Sequence, residues 1–251
     1  MAGRASQGAA TTGRSRLGRT TVTPSTTGIV RLPTTRGPAL TPRDTEILTW
    51  VGRYGVVTAD QIARRFFSRD DGAVGQAAAY RRLRKLRELD LLRMDRTFYM
   101  EPSVIRLTTR GARQADCGVG PAKLVLAEVR HALAVVDVVE DLLARNRGAD
   151  LTTERELRIG YRQELADGAR PGRNRLPDAV LVIKGKTIAV EVDLTSKRSN
   201  DYERILGAYV RQEYDAVWWY VRPRVVARLQ EIVKRGRATD FVSVRPLPED
   251  R

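Results

Sequence analysis

The chain has 251 residues but only one cysteine, Cys117, and one histidine, His131. A lone cysteine excludes an internal disulfide framework and a cysteine-rich zinc site, and it suits a reducing compartment. With one His and one Cys most nucleophilic schemes lack a member, and there is no P-loop or dinucleotide fingerprint, so no small-molecule cofactor is expected. Long apolar runs are missing too: none approaches the roughly 18 residues of a spanning helix. The N-terminal stretch is basic but has no apolar run of the kind a secretory signal carries. These absences predict a cytoplasmic, nucleoid-associated protein with no membrane partner. Acidic residues are also scarce, 30 against 45 Lys and Arg, which leaves a formal charge of +15. Such an excess points toward a polyanionic partner.

The charge is unevenly spread. Residues 1–40 hold six arginines and no acid among Thr, Ser, Gly and Pro, without an apolar period. That composition predicts a disordered basic tail, which either sweeps along phosphates or only solubilises the chain. Segment 41–118 reads as a compact helical unit ending in a hairpin. Thr41-Pro42-Arg43-Asp44 starts a helix that runs to about Gly55. After a Val56-Val57 turn, Thr58 to Gln61 has the pattern of a capping box for a second, short helix. The third helix, AAAYRRLRKLRELDLL, turns Leu83, Leu86 and Leu89 to a core; LLRMDRTFYM and VIRLT follow as two strands, and TTRGARQAD resumes a helix.

Helix, short helix, basic helix and hairpin is the order of a winged helix-turn-helix, in which the third helix enters the major groove of duplex DNA. Arg81, Arg82, Arg84, Lys85 and Arg87 place five cations in seven residues with no acid among them. Arg93, Arg96 and Arg106 add charge around the expected wing. Arginine suits this work because its planar fork bonds guanine edges or phosphates bidentately. The competing readings are a merely solvated helix face and a winged helix used for protein contacts.

From residue 119 the pattern changes. A long helix, AKLVLAEVRHALAVVDVVEDLLARNR, precedes LTTERELRI, read as a strand, and the loop ELADGARPGRNRLP. VLVIK and TIAVEVDL then form a hairpin, residues 201–212 a helix, AVWWYV a strand, RVVARLQEIVKRG a helix and DFVSVRPL a last strand. Strands alternating with helices argue for an α/β layer architecture over 119–251, so the whole is expected to be α+β with an α/β second domain. If Gly185 and Lys186 form the turn, Asp178 lies opposite Asp193, with Glu191 two residues back, and the three carboxylates share one face. Clustered carboxylates repel and need a cation, protonation or basic neighbours; magnesium or manganese suits such oxygen ligands, while Lys197 and Arg198 offer simple charge compensation. His131, one turn after Glu128, is either an outer-shell partner of these acids or a packed helix histidine. Trp218, Trp219 and Tyr220 either stack on bases or divide between the core and packing against the N-terminal unit.

LPDAVLVIKGKTIAVEVDLTSK resembles the core signature of the PD-(D/E)XK nuclease-like superfamily. The resemblance implies a restriction-endonuclease-like fold in which Asp178 and Glu191 hold a divalent metal. Asp193 stands where the assisting lysine belongs, which speaks against ordinary hydrolysis; Lys197 is the candidate to replace it. Together with the basic helix and VRHALAVVDVVEDLL, the chain over residues 41–245 resembles the replication-relaxation proteins of actinobacterial and firmicute plasmids, phages and mobile elements. The resemblance implies a role in replication, transfer or transcriptional control on double-stranded DNA, with a homodimer as one arrangement. The rival readings are an endonuclease targeted by the winged helix and a scaffold recruiting replication proteins.

Overall fold

A computed structural model describes residues 40–69, 72–115, 117–168 and 175–248. The tail expected over residues 1–40 falls, but for Leu40, outside the described residues. Leu40 itself packs against the first core.

The first helix, α1 (Pro42–Tyr54), begins where Thr41 and Asp44 exchange hydrogen bonds in a capping box with Pro42 in the first turn, and ends at Gly55, whose φ of 85° suits a glycine. The expected turn at Val56-Val57 is instead the start of a two-residue strand, β1 (Val57–Thr58), which pairs with Val104 and Ile105. Thr58 and Gln61 cap α2 (Ala59–Phe66) in the same reciprocal manner. Next come α3 (Gln76–Glu88), β2 (Leu92–Asp95), β3 (Val104–Leu107) and α4 (Thr109–Ala115). The three strands form an antiparallel sheet in the order β1-β3-β2. Ile47, Leu48, Val51, Ile62, Leu83, Leu86 and Ile105 are among the buried side chains that join the three helices to this sheet.

The long helix α5 (Leu126–Arg145) serves two cores. Val136 packs with the first, while Val138, Val139 and Leu142 pack on the second sheet. That sheet contains β4 (Asp150–Thr153), β5 (Ala179–Ile183), β6 (Lys186–Asp193), β7 (Ala216–Val221) and β8 (Val242–Pro246), in that order across it. β4, β5 and β6 are antiparallel neighbours, whereas β7 and β8 run parallel to β6. On the face away from α5, α7 (Ser199–Val210) and α8 (Pro223–Arg235) cover Ala189, Val217, Trp219 and Val221. From Leu40 onward the chain makes one compact unit, an α+β architecture with eight helices and two sheets among the described residues.

Two further sequence expectations change in the second sheet. LTTERELRI is not one strand: β4 stops at Thr153, which caps α6 (Glu154–Ala166) in a capping box with Glu156. The hairpin turns at Lys184-Gly185 rather than Gly185-Lys186, with φ of 50° and 78°, and pairs Ile183 with Lys186. Two consecutive residues with positive φ match the right-handed twist of a tight hairpin, which favours this turn. The register therefore sets Asp178, just ahead of β5, level with Glu191 and not with Asp193.

Candidate functional site

Two clusters concentrate the ionisable chemistry. The first is on α3, whose inner face is Ala79, Leu83 and Leu86. Arg81, Arg84, Lys85 and Arg87 are exposed, and neither Arg81 nor Arg84 has an acidic partner among the described residues. Lys85 lies 4.0 Å from Glu88. Arg82 differs from these four. Its guanidinium forks onto both oxygens of Asp44, which is 0 % exposed. The Arg82 and Thr41 hydrogen bonds outweigh burial and hold the Asp44 carboxyl below its usual range.

This pair floors a cleft of about 570 Å³ between the start of α1 and α3, lined by Arg43, Phe67, Arg81 and Lys85. Arg43 lies over the Phe67 ring, 5.4 Å from its centroid, a residue that the sequence reading missed. Arg93 and Arg96 are exposed on and beyond β2. Arg106 is not: it is buried, bonded to Asp95 at 2.9 Å and to the Ala122 carbonyl at 2.6 Å, so it adds no surface charge.

The second cluster lies where β6 ends and β5 begins, at the C-terminal side of the parallel strands, where ligands of open α/β sheets bind. Glu191 and Asp193 point toward α7 and Trp219. Glu191, 2 % exposed, accepts from Arg175 and from the Tyr209 hydroxyl. Asp193 accepts from Lys197 and, at 3.2 Å, from Trp219 Nε1. Asp178 does not join them on that face, because it lies ahead of β5, outside the paired strand, and turns to α5. Its Oδ2 accepts from the Val192 backbone N–H at 2.7 Å, and its Oδ1 lies 3.0 Å from His131 Nε2 on α5. Lys197 is further held by its own N–H, which donates to the Tyr202 hydroxyl at 3.2 Å.

Burial pushes the Glu191 carboxyl up to about 7, aided by the Asp178 charge, with Arg175 and Tyr209 opposing. Burial and then the Glu191 charge raise the Tyr209 hydroxyl. The hydrogen bond to Asp178 raises His131, while burial lowers Lys197. Asp178 and His131 also line a cavity of about 260 Å³ with Glu128, Thr153 and Arg155, which neither Glu191 nor Asp193 reaches.

Trp219 is buried against Tyr202 and Tyr209, ring centroids 5.6 and 6.5 Å away. Trp218 and Tyr220 pack on the α5 face, where Arg245 sits 4.0 Å above Trp218. The divalent ion implied for Asp178, Glu191 and Asp193 does not fit what surrounds them. Both oxygens of each carboxylate already meet a donor from the chain, and the described residues contain no group of three His, Cys, Asp or Glu arranged to hold a metal.

The molecule is thus an α+β protein that pairs a basic helical unit with a mixed sheet carrying buried carboxylates at its strand ends. The replication-relaxation family model matches residues 48–219, and the chain belongs to that family. No curated protein and no solved structure matches it. No described helix is long and apolar enough to cross a membrane.

Proposed function

We propose that this protein binds duplex DNA of a mobile element in its replication, transfer or control, with α1 to β3 as a winged helix-turn-helix and α3 as the recognition helix. The order α1, β1, α2, α3, β2, β3 and the sheet order β1-β3-β2 support that reading. The observation that carries it is the row Arg81, Arg84 and Lys85, exposed on a helix whose opposite face is buried. A solvated face would mix signs and pair them at i,i+4. Arg43 joins Arg81 and Lys85 around the cleft as a phosphate contact, and Arg93 and Arg96 extend the charge along the hairpin. Arg82 acts indirectly, fixing α3 on α1. The mixed sheet, with α5 on one face and α7 and α8 on the other, is read as a nuclease-like domain that no longer cleaves.

The test is a salt titration of the full chain on labelled duplex DNA. Phosphate neutralisation makes log K fall linearly with log salt, by roughly 0.9 per phosphate contacted. A steep slope is expected, with several phosphates involved. Binding that is absent at low salt, or flat across the titration, would sink the reading. An endonuclease remains the rival because Asp178 and Glu191 stand level on neighbouring strands. Cleavage of plasmid DNA with magnesium or manganese that Glu191→Ala abolishes would establish it.

A further inference from the structure

We infer that Arg175, Lys197 and His131 are the resident cations of the strand-end cluster, standing where a divalent ion would neutralise it, and that removal of Arg175 opens it to such an ion. The inference does not depend on DNA binding by α3. It rests on where each carboxylate oxygen goes. Glu191 Oε1 takes Arg175 and Oε2 takes Tyr209; Asp193 Oδ1 takes Lys197 and Oδ2 takes Trp219; Asp178 Oδ1 meets His131 and Oδ2 takes the Val192 N–H.

A hard divalent ion needs several oxygens converging on one point at roughly 2.0–2.6 Å, with their lone pairs free. Here the three carboxylates diverge toward separate donors, and three of those donors are the chain's own basic groups. A second cation brought among them would be repelled at short range with little water to screen it. Each acid is thus matched to one basic group of the chain, Glu191 to Arg175, Asp193 to Lys197 and Asp178 to His131, without a metal.

Arg175 is the decisive member. Its guanidinium reaches Glu191 through both Nε, at 3.1 Å, and Nη2. Its carbonyl accepts from Gln212 Nε2 at 3.1 Å, which fixes the backbone from which the side chain enters. Glu191 is the innermost acid, level with Asp178 and two residues from Asp193 on the same strand. Removing Arg175 leaves Glu191 buried with only the Tyr209 hydroxyl, beside a second acid. That state lacks one positive charge, which manganese supplies.

The experiment uses the full chain, freed of metal with chelator, and manganese as probe, read by thermal melting and by loss of the free-ion paramagnetic resonance signal. The parent is expected to melt at the same temperature with manganese or chelator and to leave the signal unchanged. Arg175→Met should melt lower in chelator, regain several degrees with manganese and bind about one ion, and Arg175→Met with Glu191→Gln should lose that gain. Arg175→Lys, which keeps a cation, should behave like the parent. Manganese binding by the parent that Glu191→Gln removes overturns the inference, as does a folded Arg175→Met without gain. If Arg175→Met does not fold, the parent and Glu191→Gln decide alone: no difference in manganese binding between them supports the inference, and a difference overturns it.

Discussion

The guanidinium of Arg82 on α3 closes over the fully buried carboxylate of Asp44 on α1, tying the basic helix to the helix that begins the first core. Thr41 bonds the same carboxylate through its N–H at 2.6 Å, so one acid both caps α1 and positions α3. Removing one partner of a buried ion pair commonly costs 3–5 kcal/mol. Arg82 is 31 % exposed, which lowers the figure. Asp44→Ala should therefore lose about 2–3 kcal/mol in urea unfolding, and Arg82→Ala less. Equal stability of Asp44→Ala and the parent would show the pair to be incidental.

The exposed cations of α3 should act on DNA without acting on stability. Replacing Arg81, Arg84 and Lys85 together by Ala should remove most duplex affinity and flatten the salt slope by roughly 2–3. A bidentate contact to a base is worth about 1–3 kcal/mol of discrimination, so one single variant among them should relax preference at one base pair. Arg43→Ala should weaken all duplex sequences alike. A triple variant that binds like the parent across the titration would refute α3 as the recognition helix.

Gly111 opens α4 against the chain that leaves α3. A Cβ at this position would overlap the Leu91 carbonyl, whose oxygen accepts from the Thr108 N–H at 3.1 Å. Backbone on both sides leaves no flexible side chain to yield. Gly111→Ala should cost on the order of 2 kcal/mol or more by the overpacking rule, despite the better helix propensity of alanine. An unchanged melting temperature would contradict the close approach.

The strand-end cluster should make stability fall as pH rises. His131 holds its proton more tightly when folded, so its contribution is full below about 6.5 and is lost as pH climbs through its raised value. It faces Asp178, Glu191 and Glu154, with Glu128 one turn away on its own helix. Glu191, lifted from 4.5 to about 7, acts in the same direction, because its neutral form is favoured in the folded state and that advantage fades between those values. Melting temperatures from pH 4 to pH 8 should show a downward drift in the parent that Glu191→Gln flattens in the lower part of the range and His131→Asn in the upper part. Parallel curves for all three proteins would exclude both assignments.

The helices and the hairpin from Pro42 to Leu107 are legible because their signals are local: Thr41 with Asp44 and Thr58 with Gln61 mark helix starts, and Leu83 and Leu86 mark the inner face of α3, whereas the two residues of β1 carry no signal apart from a turn. The same kind of signal at Thr153 and Glu156 marks α6, yet the β-favouring LTT before it favours a strand across the whole segment. In the hairpin, Gly185 announced a turn but not its position. Lys184, adopting a positive φ without being glycine, moved the register by two. A shift of two keeps Glu191 and Asp193 on one face as expected, whereas Asp178, ahead of the paired strand, turns instead to His131. Arg175 was not found, since its role depends on approach from a neighbouring loop, and sequence spacing carries no trace of it. Arg82 and Arg106 look like their neighbours in the sequence; only the placement of Asp44 and Asp95 distinguishes them.

Along α5, Val136 belongs to one core and Val138 and Val139 to the other, so the helix works as a keel shared by two hulls. At its leading end Val129 seals Val56 and Val104 beneath the small sheet. Further along, Glu140 accepts from Trp50 Nε1 and the Tyr54 hydroxyl, each at 2.8 Å. A turn of this helix about its axis cannot ease one core without pressing on the other, because neighbouring side chains point in opposed directions. The two sheets, packed on one helix, should therefore melt together in one transition rather than in sequence.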